Sequence, residues 1–242
     1  MDWQQCEALL KDRRLNRPCR LRFERTGLHQ FGGRREDVAF RGVDLEKPIH
    51  HFLTLDTKDP LCPFESQVFT KLPLFYPLLY GAGGGEIQYT VVSDTELEVH
   101  YLSECYPDDP YADHDELPCS QASLIPFTYA EERLMCALDG HFSRRLSFAD
   151  RMRLRWCDEG SPWRVGGYLR SCQGAVWALC RNPDCDWRGE DGDTKSQLWP
   201  IALILASKTQ FGAIWGQYTD DVEFFFGYCP HCSTIHAQNR CS

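Results

Sequence analysis

Two short cysteine hooks, Cys180-Arg-Asn-Pro-Asp-Cys185 and Cys229-Pro-His-Cys232, constrain this chain more than any other feature. Each holds a proline inside a turn short enough to aim two thiols to the same side. Two such turns complete a tetrahedron around a borderline-soft cation such as zinc, iron being the other metal that four thiolates take. The fold must therefore bring together segments separated by 43 residues. Four thiolates fill the coordination shell, so the spacing predicts a structural zinc site at Cys180, Cys185, Cys229 and Cys232, with no open position for catalysis. His231 and His236 are the side chains that could replace one thiol.

The chain has 13 cysteines, an odd number that excludes complete internal pairing. Its longest apolar runs, 175–180 and 201–206, fall far short of the roughly 20 residues that span a bilayer. The first residues lack the apolar core of a signal peptide, so the expectation is a cytoplasmic protein with reduced thiols and no membrane partner. The nine cysteines outside the hooks read as core or surface residues, and Cys172 is the one to consider as a nucleophile.

The chain also repeats an order of elements. Phe31-Gly32-Gly33 is followed by a strand opened by Pro48 and later by the β-rich run 86–92; Val165-Gly166-Gly167 is followed by a strand opened by Pro200 and later by the aromatic run 222–228. The second repeat is longer between its glycine turn and its proline-led strand, and the first hook lies in that excess. Capping signals predict short helices over 2–14, 128–139 and 147–156. The segment 105–127, with four prolines, reads as a long surface connection. The expectation is a β-rich α+β fold in one globular unit, 1–242. It consists of a first half over 1–127, a helical connection over 128–160, and a second half over 161–242 that carries the zinc-knuckle insertion.

Charge is uneven. Residues 94–139 hold twelve acidic side chains against Arg133 alone, a net −11, while the whole chain stands at −9. The stretches 11–41 and 141–170 are basic, and this alternation argues against a uniform nucleic-acid footprint. Gly81-Ala-Gly-Gly-Gly-Glu86 fails the dinucleotide pattern, and 108–116 lacks the order of a calcium loop. The acidic stretch instead suits a basic protein partner, with Asp108, Asp109, Asp113 and Asp115 steering association and Tyr106 and Tyr111 as anchors. The alternative is a small-molecule enzyme with a site between the halves, for which Cys172, His141 and His29 are the candidate groups.

Gly166-Gly167-Tyr-Leu-Arg-Ser-Cys-Gln173, a cysteine pair, a strand, and Val222-Glu-Phe-Phe-Phe226 running into Cys-Pro-His-Cys together resemble the YwqG-like family of bacterial proteins. Phe31-Gly32-Gly33, 52–56 and 86–92 resemble it more faintly, and Leu169 stands where the family has proline. The resemblance implies two related halves in a β-rich α+β fold and carries no catalytic residues. Some relatives are thought to be immunity proteins, so it also implies an antitoxin-like protein, non-enzymatic, that neutralises a toxin through its acidic surface.

Overall fold

The computed structural model describes residues 18–80, 85–103, 116–128, 130–132, 147–149, 152, 163–166, 178–188, 198–205 and 222–241. Strands dominate them, and the runs that form strands are rich in β-branched and aromatic residues. The first half supplies β1 (Cys19–Glu24), β2 (His29–Phe31), β3 (Ala39–Arg41), β4 (His50–Asp56), β5 (Lys71–Tyr76), β6 (Glu86–Ser93), β7 (Glu96–Leu102) and β8 (Ser120–Pro126). The second supplies β9 (Trp163–Val165), β10 (Trp199–Leu205), β11 (Val222–Tyr228) and β12 (Thr234–Cys241). All twelve join one sheet in the order β3-β7-β6-β12-β11-β10-β9-β1-β8-β2-β4-β5, antiparallel except for the short parallel pair of β3 and β7.

A sheet of this length must bury its apolar faces against something, and here it folds back on itself. Phe52 of β4 lies 4.5 Å from Phe224 and 5.9 Å from Phe226 of β11, ring centre to ring centre, and Tyr76 of β5 lies 4.7 Å from Phe224. Phe224, Phe225 and Phe226 are all buried, so β11 is covered on both faces, which is why it reads as a continuous aromatic run with no alternation. The fold-back brings β5 over β6. There the hydroxyl of buried Tyr89 accepts the Phe75 amide at 2.9 Å and donates to the Pro73 carbonyl at 2.9 Å. Asp94, in the turn after β6, accepts the Thr70 and Lys71 amides. Side chains thus satisfy the free edge of β5, and Pro73 sits where a missing amide costs no ladder bond.

The glycine turns occupy matching places. Phe31 faces Leu53 and the Gly32 amide donates to the Phe52 carbonyl at 2.9 Å; Val165 faces Ala202 and the Gly166 amide donates to the Ile201 carbonyl at 2.8 Å. β4 bulges between His51 and Leu53, and β10 between Pro200 and Ala202. Gly32 and Gly166 have φ of +59° and +71°, and a Cβ on Gly32 would meet the Pro118 carbonyl oxygen at 2.2 Å. The strand order β9-β1-β8-β2 places the two turns on either side of the β1–β8 pair. β1 precedes β2 in the chain but pairs with β9, and β8 precedes β9 but pairs with β2. The strand in the place of β11 is β5 rather than the run 86–92; β6 instead pairs with β12, so the four strands of 161–242 form one block with strands of 1–127 on both sides.

The expected α+β class with flanking helices is corrected. Among the described residues the fold is almost all β, with one 3-10 turn (Leu78–Tyr80) and helical fragments at 130–132, 148–149 and 152. The capping box at Thr128 does form: Glu131 Oε2 accepts the Thr128 amide at 2.7 Å, and Thr128 Oγ1 accepts the Glu131 amide at 3.3 Å. A capping box marks where a helix starts and says nothing of its length, and a sheet folded on itself needs no helical layer to cover it. The predicted helix over 2–14, and most of 128–139 and 147–156, lie outside the described residues. The segment 105–127, expected as a connection, contains the central strand β8. Its Ala122 and Leu124 are buried while Gln121 and Ser123 alternate with them, a pattern outweighed in the sequence by the surrounding prolines. No helix among the described residues is long and apolar enough to cross a membrane.

Candidate metal centre

The second hook is the turn of the β11–β12 hairpin, so the register of two central strands fixes it. The Cys229 amide donates to the Thr234 carbonyl at 2.8 Å and the Ser233 amide to the Cys229 carbonyl at 2.9 Å, with Ser233 in the left-handed region at φ +59°. The first hook precedes β10 and is turned by Asn182. Its side-chain oxygen accepts the Asp184 amide at 2.9 Å, and its carbonyl accepts the Cys185 amide at 3.2 Å.

These turns bring the four hook sulfurs within 4.8 Å of one another. Cys180 Sγ lies 3.5 Å from Cys232 Sγ, and Cys185 Sγ 3.7 Å from Cys229 Sγ. Four sulfurs about 2.3 Å from a central zinc stand roughly 3.8 Å apart along the tetrahedron's edges, whereas a disulfide needs about 2.05 Å. The spacing is that of a cation site. Cys180, Cys185 and Cys229 are buried and Cys232 is partly exposed. The Trp187 amide donates to Cys185 Sγ at 3.3 Å, and Thr234 Oγ1 lies 3.0 Å from Cys232 Sγ, contacts that favour sulfur carrying negative charge. Close contact with Cys229 and Cys232, added to burial, pushes the Cys180 thiol up, while hydrogen bonds from Cys180, Cys229 and Thr234 draw Cys232 down. Thiols this close resist holding several negative charges together, and a dication removes that conflict.

What seats the first hook comes from the other end of the chain. Buried Gln88 of β6 accepts the Arg181 amide at 2.9 Å through its Oε1 and donates from its Nε2 to the Leu179 carbonyl at 2.9 Å, clasping the backbone on both sides of Cys180. Asn182 Nδ2 donates to Thr90 Oγ1 at 3.0 Å, and Thr90 Oγ1 meets Thr234 Oγ1 at 2.8 Å. Arg181 lies 4.2 Å over the Tyr101 ring. Sequence reading missed this support because the residues stand 91 to 93 positions from the hook they hold, and Gln88 reads as an ordinary strand residue. Gln88→Leu leaves both backbone groups without their partner, so metal affinity should fall by about 10- to 100-fold while the fold survives. Gln88→Glu, which keeps the acceptor for Arg181, should lose less. Chelator competition on the purified variants measures both.

Neither histidine considered as a substitute ligand joins the sulfurs. His231, inside the second hook, is exposed and stacks at 3.7 Å between ring centres on Trp187, two residues after the first hook. His236 is buried against Gln88 and Glu86. His29, a candidate of the enzyme alternative, is fully buried: its Nε2 lies 2.9 Å from Asp59 Oδ2 and its Nδ1 accepts the Asp56 amide at 3.0 Å. Burial holds its pKa below the usual histidine value despite Asp59, so it sits as a neutral structural group. Cys172 and His141 lie outside the described residues, as do Tyr106, Asp108, Asp109, Tyr111, Asp113 and Asp115. A scan of protein-family models, a search of curated proteins and a search of solved structures each found nothing that matches this chain.

Proposed function

We propose that this chain is a non-enzymatic binding protein whose fold is fastened by one structural zinc ion, and that its partner is a basic protein, in the antitoxin-like case a toxin. The four hook sulfurs carry the first part of this reading, since tetrahedral sulfur spacing suits zinc and leaves no coordination position for substrate or water. The ion would tie the β11–β12 turn to the segment before β10, and Gln88 hydrogen bonds dock that segment on β6 of the first half. The enzyme alternative has no such support among the described residues, where its one candidate, His29, is closed in the core.

The binding part rests on the −11 imbalance of 94–139 and on the resemblance to the YwqG-like family. Exposed carboxylates mainly raise association rate and are screened over about 8 Å at physiological salt. Association with the basic partner should therefore slow as salt rises, and slow again after joint Asp108→Asn, Asp109→Asn, Asp113→Asn and Asp115→Asn. Tyr106→Ala or Tyr111→Ala should instead speed dissociation, with a cost of about 2 kcal/mol if either ring is a hot spot. Stopped-flow association with the partner captured from the source cell checks all of these. Rates indifferent to salt and to all four substitutions would place the interface elsewhere.

A further inference from the structure

The hooks pair thiols across the site as well as facing a common centre. Cys180 of the first hook is 3.5 Å from Cys232 of the second, and Cys185 of the first is 3.7 Å from Cys229 of the second. Cys232 alone among the four is partly exposed, and it lies in the hairpin turn where small solutes reach it. We infer that the centre is a reversible redox switch: peroxide enters at Cys232, joins it to Cys180, and expels the metal. This rests on the zinc reading above.

The chemistry balances without any further reagent. Cys232 Sγ attacks the peroxide O–O bond, forming a sulfenic acid as hydroxide leaves. Cys180 Sγ then attacks the Cys232 sulfur and the second hydroxide departs, leaving a disulfide. Two thiolates have given up two electrons, and the two hydroxides take two protons to become water. Zinc keeps its charge throughout but loses two of four ligands, and the same sequence at Cys185 and Cys229, which consumes a second peroxide, removes the rest. Closing a 3.5 Å gap to bonding distance asks for a shift of only an ångström or two from the turns.

Seating of the hook does not depend on the sulfurs. Gln88 holds the backbone at Leu179 and Arg181, and Asn182 is held by Thr90, so the oxidised hook stays docked on β6 and its thiols remain aligned for reduction. That separates a switch from oxidative damage. The accessible thiol should react first, since attack requires both thiolate character and access.

The test treats metal-loaded full-length protein with hydrogen peroxide, follows zinc release with a chromogenic chelator, and maps disulfides by mass spectrometry of non-reduced digests. The expected result is release of about one zinc per chain, with Cys180–Cys232 bonded early, Cys185–Cys229 later, and full metal rebinding after dithiothreitol and zinc are added. Bonds within a hook, Cys180 to Cys185 or Cys229 to Cys232, would overturn the inferred pairing. Zinc retained under peroxide that oxidises the exposed Cys119, or release that dithiothreitol does not reverse, would overturn the switch. Protein that carries no metal before peroxide is added would instead refute the zinc reading, a separate outcome read before the oxidation begins.

Discussion

Cys229→Ser should abolish metal binding and lower stability by more than the loss of any single core side chain. Cys229 is fully buried at the end of β11, and its amide and carbonyl both hold the hairpin turn, so the substitution changes one ligand atom while the backbone pairing stays available. Serine is a poor ligand for zinc beside three thiolates, and three remaining sulfurs bind far more weakly. Structural zinc contributes on the order of 10 kcal/mol in small domains, against about 2 to 5 kcal/mol for truncating a large core residue. The core formed by Phe52, Phe224, Phe226 and Tyr76 is independent of the metal, so the variant should keep a β-sheet spectrum at low temperature and unfold much earlier on heating. Metal content and thermal unfolding of wild type and variant decide this. An unchanged melting temperature would mean that the sheet alone sets stability.

Acid should destabilise the protein by about 3 kcal/mol through His51 alone, as pH falls from 6.5 to 4. His51 is buried, donates from Nδ1 to the Gly32 carbonyl at 2.8 Å and accepts at Nε2 from Thr54 Oγ1 at 2.7 Å, and Thr54 Oγ1 in turn accepts from Arg35 at 2.8 Å. Burial, reinforced by the Arg35 charge, draws its pKa from 6.5 to about 4. The folded state therefore favours the neutral ring. A depressed folded value means that this contribution is complete above the unfolded value of 6.5 and is lost as pH falls toward 4. The gap between those two values corresponds to the stated 3 kcal/mol. His29, also drawn down by burial, adds to the loss with the same sign. Urea unfolding at pH 7 and pH 4 should reveal the difference, and His51→Gln should shrink it. Because acid also discharges zinc from thiolates, the informative quantity is the change in slope between wild type and variant. Identical slopes would show that His51 titrates normally.

The sequence made the four-cysteine cluster legible for a simple reason. Two thiols with two to four residues between them in a proline turn have few other uses, and the pattern is local, so each hook announces itself. The strands β4, β10 and β11 were readable too, because each carries consecutive buried apolar residues, Phe52 and Leu53, Ile201 to Ile204, and Phe224 to Phe226. What escaped was long-range. β8 looks polar, since half its residues face outward, and it became central only through pairing with β1 and β2. Gln88 and Thr90 look like ordinary strand residues until β6 is placed beside β12, which brings them under a hook some ninety positions away. The helices expected from capping boxes illustrate the opposite error: Thr128 and Glu131 do form the box, yet the described fold is built by a sheet closing on itself. Strand order depends on which edges meet, and no local pattern encodes that.

X-ray absorption at the zinc edge of protein purified without chelator measures the central claim most directly. The account predicts about one zinc per chain with four sulfur neighbours at roughly 2.3 Å and no nitrogen or oxygen in the first shell. Absence of metal, iron in place of zinc, or a shell that includes nitrogen or oxygen would contradict it.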